Sequence, residues 1–171
     1  MRRFLIVLLT LIVNIIIQST LLQHIRIRGI LPNTAIIIII SFSLLRGSKE
    51  GAVVGLFTGL LQDMFFGTSI GYYSLLGMLM GYFFGHFHQN FYRENYILPI
   101  LLCSSGTFIY ESLVYITGYL FMGNLNYLYF LGRVIIPEIA YTAVFSIFIY
   151  RILFSINEYL ELHEKHKRKL F

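Results

Sequence analysis

The sequence predicts an all-α integral membrane protein, a compact bundle of about six transmembrane helices, and three observations carry that expectation. Of its 171 residues, 57% are hydrophobic and only 12% charged, too little polar surface for a domain of this size to stay in water. The apolar residues come in long runs and not in thin amphipathic stripes, as helices surrounded by lipid do. Lys and Arg gather mainly on one side of the layout that those runs imply, the pattern that orients a chain in a membrane. One transmembrane domain, residues 1–155, is expected, followed by a basic cytoplasmic tail, 156–171.

The first span is expected at about 4–22. Its basic start and apolar run resemble a secretory signal, but the run is longer than a signal's and no small-x-small cleavage site follows it. It reads as a retained helix, with Thr10, Asn14 and Gln18 along one face. The second span, about 31–45, opens on Pro32 and Asn33 and runs through five consecutive isoleucines. The third, about 51–66, places Gly51, Gly55, Gly59 and Asp63 at four-residue intervals, and the same beat continues to Gly67 and Gly71. A glycine every fourth residue drifts slowly around a helix and draws a groove in which a second helix can approach closely. Asp63 lies on that packed face, so its carboxylate is expected to point into protein and away from lipid.

The fourth span, about 71–85, repeats the device with Gly77, Gly81 and Gly85. The fifth, about 96–121, carries Ser104, Thr107, Glu111 and Tyr115 on one face; the sixth, about 134–154, carries Glu138, Thr142 and Ser146, with Pro137 placed to loosen the backbone beside Glu138. Polar stripes on several helices suggest interhelical hydrogen bonds, worth about 0.6–2 kcal/mol each. The first, fifth and sixth spans are long enough for a bilayer core of ~30 Å; the middle three fall short and are expected to be enclosed or to sit in thinned membrane.

With the N-terminus in the cytoplasm, ten of the 13 Lys and Arg lie inside, and Arg26, Arg28 and Arg133 lie outside. Both termini are therefore expected to be cytoplasmic. The three intramembrane acids, Asp63, Glu111 and Glu138, could pair with the outer arginines or be hydrogen-bonded as neutral carboxyls. In the tail, Glu161 with Lys165 and Glu164 with Arg168 are spaced for weak helical pairs, and the basic end suits anionic headgroups or a cytoplasmic partner.

Residues that carry enzymatic chemistry are missing from the pattern. There is no P-loop, H-E-x-x-H or nucleophile elbow, and the lone Cys103 has no partner for a disulfide or metal site. His86 and His88 are a poor metal signal, and Ser104 and Ser105 lack a histidine to activate them. No catalytic residue, cofactor, metal or nucleic-acid partner is expected.

The order of "LPN" at 31–33, "GAVVGLFTGLLQD" ending at Asp63, and "GTSIGYYSLLG" containing Gly71 resembles the MreD family of bacterial rod shape-determining membrane proteins. The resemblance covers nearly the whole chain, while the first span and the tail match in character only. It implies a multi-pass protein of the bacterial cytoplasmic membrane that acts as a non-enzymatic scaffold. Its implied partners are the bitopic protein MreC, actin-like MreB filaments, the glycosyltransferase RodA and the penicillin-binding transpeptidase that works with RodA, all within membrane lipid. The residues expected to pack helices or meet partners are Asn14, Gln18, Pro32, Asn33, Gly51, Gly55, Gly59, Asp63, Gly71, Glu111 and Glu138. A second class is similar in size and span count: the substrate-binding membrane subunits of energy-coupling-factor vitamin transporters. Those typically carry an alanine-x-x-x-alanine pattern in the first span, and the first span here has no alanine.

Overall fold

A computed structural model of the chain describes residues 2–20, 24, 29–67, 71–90, 97–120 and 126–168, with side chains from residue 5 to residue 160 within those segments except at 89, 90, 119 and 120. Arg26, Arg28, Arg93 and Lys169 lie outside the described residues, and the charged pairs expected in the tail lie outside the described side chains. The regular structure is helical: α1 (Arg2–Ser19), α2 (Thr34–Arg46), α3 (Ser48–Phe66), α4 (Tyr72–Phe84), α5 (Ile97–Val114) and α6, which runs over Tyr127–Phe130 and Ile136–Arg168. A π-turn, Tyr115–Leu120, extends α5, and another, Leu131–Ile135, joins the two parts of α6. Each of the six apolar runs falls on one of these helices.

The centre of the bundle is α2. Five β-branched isoleucines in a row would suit a strand in water, yet a helix satisfies every backbone group within its own segment, the requirement of an apolar surrounding. Asn33 starts it, its Oδ1 accepting the Ile36 N–H at 3.2 Å. Gly47 stops it, with φ at 91° and its N–H donated to the Ser43 carbonyl. From Thr34 to Leu45 every residue is buried, enclosed by α3, α4, α5 and α6. This short span is thus the enclosed one, while α3 and α4 keep outward faces such as Val53, Leu75 and Leu79. The core joins Ile36, Ile37, Ile40 and Leu44 to Leu76, Met80, Phe84, Cys103 and Tyr110.

On the outside, α1 packs mainly against α2 and α3, where Leu11 meets Ile38, Phe42, Val54 and Leu153. Residues Ile97–Gly118 and Tyr127–Leu160, 22 and 34 residues, are long and apolar enough to cross a membrane. The apolar part of α1, Leu5–Ser19, is shorter. The sixth helix starts before the expected 134 and continues through residue 155 as a single helix. Pro137 cannot donate to the carbonyl of Arg133 and its ring crowds that group. The widened turn at Leu131–Ile135 gives the ring room, the kind of irregularity that accompanies such a proline.

Candidate functional site

Two internal assemblies and one cavity gather the polar residues. The first is the α3–α4 hairpin. A methyl group added at Gly55 would overlap the Gly77 carbonyl oxygen, and one at Gly77 would overlap that of Gly55. One at Gly51 would lie 2.7 Å from the Gly81 oxygen, and one at Gly59 would meet the backbone of Tyr73 and Ser74. The two glycine ladders therefore face each other in antiparallel register, backbone on backbone. The groove is filled by the chain's own neighbouring helix.

Asp63 closes this hairpin. Its carboxylate accepts the N–H groups of Gly71, Tyr73 and Ser74 at 2.9, 3.0 and 3.1 Å. These are amides at the start of α4 that have no partner within their own helix. The last turn of α3 thus caps α4, and the helix dipole favours the negative charge there. Gly71, with φ at 99°, makes the left-handed turn that aims those amides at Asp63. Ser74 adds a hydrogen bond from its hydroxyl to the Leu56 carbonyl at 3.1 Å. Among the described residues the partners of Asp63 are consequently helix backbone amides, and Arg133 lies over Tyr129 instead; Arg26 and Arg28 lie outside the described residues. An acid placed on a glycine ladder is what a hairpin needs to finish the second helix.

The second assembly joins α2, α5 and α6. Asn33 donates its backbone N–H to Thr142 Oγ1 at 3.1 Å and its Nδ2 to Glu111 Oε1 at 3.2 Å. The carboxyls of Glu111 and Glu138 come together beside Asn33. The pair of acids was legible as two separate intramembrane residues; their union, through Asn33, was not.

Other members of the polar stripes turn back on their own helices. Thr10 bonds the Ile6 carbonyl, Ser104 that of Ile100, Thr107 that of Cys103 and Ser146 that of Ala143. Such hydroxyl back-bonding satisfies the group locally, so these stripes add less interhelical bonding than their spacing suggests. Thr142 is the exception, through Asn33. Asn14 Nδ2 and Gln18 Oε1 on α1 are buried without a hydrogen-bond partner among the described residues.

The cavity, about 480 Å³, opens at the end of the bundle where α1 finishes and α2 begins. Gln18, Pro32, Asn33, Gln62, Arg133 and Glu138 contribute to its wall, with Tyr129 and Phe130 alongside. Gln62 was not singled out from the sequence, although a glutamine next to Asp63 in an apolar run is itself a signal; its Oε1 accepts the Tyr110 hydroxyl at 3.4 Å. Arg133 rests 5.7 Å from the Tyr129 ring centre.

At the opposite end, Arg46 bonds Asn157 and His88 meets the Leu44 carbonyl, with its ring 3.6 Å from where a Gly47 Cβ would be. His86 meets the Tyr82 carbonyl and Ser48. The histidines therefore tie the connection after α4 to the ends of α2 and α3. Among the described residues, no three of His, Cys, Asp and Glu come together as a metal site would require. A family model for the rod shape-determining protein MreD matches residues 1–160. No curated protein and no solved structure matches the chain.

Proposed function

Since the chain belongs to the MreD family of rod shape-determining proteins, we propose that it is a non-enzymatic membrane scaffold of the lateral wall-elongation machinery. In this reading all six helices cross or fill the cytoplasmic membrane, with both termini on the cytoplasmic side. The scaffold binds MreC and couples MreB filaments to a RodA-type glycosyltransferase and its penicillin-binding transpeptidase.

One observation supports assembly over transport or chemistry. The three acids that could line a path are engaged within the bundle: Asp63 with the α4 amides, and Glu111 and Glu138 beside each other and Asn33. The outward surface is instead rich in large apolar side chains, including Leu9 and Ile16 on α1, Leu79 and Phe83 on α4, and Phe148 and Ile152 on α6. Surfaces of that kind meet lipid or the membrane helices of partners, where close van der Waals packing drives association. The vitamin-transporter reading has no support among the comparisons.

Depletion of the protein in its native rod-shaped cell tests this reading. Cells are expected to widen and round as side-wall incorporation of new peptidoglycan stops, and a plasmid copy should restore them. Rods of unchanged width with normal side-wall incorporation would overturn it.

A further inference from the structure

The cavity between the end of α1, the start of α2 and the start of α6 has a chemistry that the scaffold role does not use. Among the described residues its wall holds one cation, Arg133, which is exposed and makes no ion pair with them. It also holds a carboxyl, Glu138, and the Gln18 side chain, whose buried Oε1 lacks a hydrogen-bond partner among the described residues. Positive charge at the rim and acceptors in the wall select a ligand that is itself divided, with an anionic group and a hydrogen-bond-donating cation. The volume, about 480 Å³, lies within the range of small-ligand pockets, about 300–1,000 Å³.

We infer that this cavity binds a phosphate-and-primary-ammonium group, the chemistry of a phosphoethanolamine headgroup, with the phosphate on Arg133 and the ammonium toward Gln18 and Glu138. A guanidinium suits phosphate because its donors lie in a planar fork. An ammonium offers three N–H donors to the carboxyl and amide oxygens. A quaternary ammonium has no N–H and would need an open aromatic face. The two aromatic rings in the wall are already engaged, Tyr129 by Arg133 and Phe130 by Tyr115 at 4.9 Å between centres. A purely anionic headgroup would satisfy Arg133 and leave the acceptors unmet. Exposed Leu128 and Tyr129 beside the mouth are an apolar side chain and an amphipathic ring that suit the headgroup boundary of a bilayer.

The test is native mass spectrometry of the full chain, purified in mild detergent and offered phosphatidylethanolamine, phosphatidylglycerol or phosphatidylcholine. Phosphatidylethanolamine should be retained about tenfold better than either of the others, as expected for charge-assisted hydrogen bonds. Arg133→Gln, a change at an exposed residue, should remove that preference, and Gln18→Leu should weaken it. Soluble phosphoethanolamine, offered as the second arm, separates the two sources of this chemistry. If it delays labelling of buried Cys103 on heating as well as the lipid does, the ligand is a free zwitterion. If only the lipid does so, the ligand is a membrane headgroup. Equal retention of the three lipids, or a phosphatidylethanolamine preference that survives both substitutions, would overturn the assignment.

Discussion

Gly55→Ala is the smallest change that tests the α3–α4 hairpin. The added methyl would overlap the Gly77 carbonyl oxygen and stand 2.5 Å from its carbon and 3.0 Å from the Met78 nitrogen. All three atoms are backbone, so no side-chain rotation relieves the clash. The helices must separate by roughly 1 Å to restore ordinary contact. Separation also loosens the Gly51–Gly81 contact and stretches the hydrogen bonds of Asp63 to the α4 amides. Overpacking of a core that can adjust costs about 1–3 kcal/mol, and a rigid contact on both sides belongs at the upper end. On the scale of about 2–4 °C per kcal/mol for chains of this size, the midpoint should fall by roughly 6–12 °C. The single cysteine supplies the assay: Cys103 is fully buried, so a thiol-reactive dye labels it as the bundle opens. Gly132→Ala is the control, because a methyl there meets nothing within 4 Å, and its effect should stay within about 1 kcal/mol. A Gly55→Ala midpoint within error of the Gly132→Ala midpoint would refute the backbone-on-backbone hairpin.

Asp63→Asn should lower the same midpoint by the equivalent of about 1–3 kcal/mol, since one amide oxygen replaces a carboxylate that accepts three N–H groups; an unchanged midpoint would remove the capping role. Asp63→Arg should not be rescued by Arg133→Asp, because Asp63 bonds α4 amides and Arg133 lies over Tyr129; recovery of folded protein in the double variant would show an ion pair instead. Asn33→Ala should cost about 2 kcal/mol or more, because it removes an N-cap and leaves the buried Glu111 without its amide donor. The thermal midpoint and the yield of folded protein both check it.

Helix positions were legible because in lipid a backbone has few choices: a long apolar run must bond within itself, and even the isoleucine run of α2 obeys. The glycine ladders were legible as a packing surface, since the four-residue period is local. Which helix fills the groove was not, because Gly55 and Gly77 meet only through the hairpin fold. The same holds for Glu111 and Glu138. They are far apart in sequence and on different helices, and Asn33 on a third helix brings them together. Asp63 was placed facing protein, but its partners are backbone amides, which carry no sequence signature. The cavity depends on Gln62 and on Tyr129 and Phe130 before the expected start of the last span, residues that apolar periodicity alone does not mark.

The scaffold account is tested most directly by gentle purification of the full chain from its native membrane, with mass spectrometry of the proteins that remain bound. The account predicts recovery of MreC together with a RodA-type synthase and its penicillin-binding transpeptidase. Recovery of transporter ATPase subunits in place of those wall-synthesis proteins would contradict it.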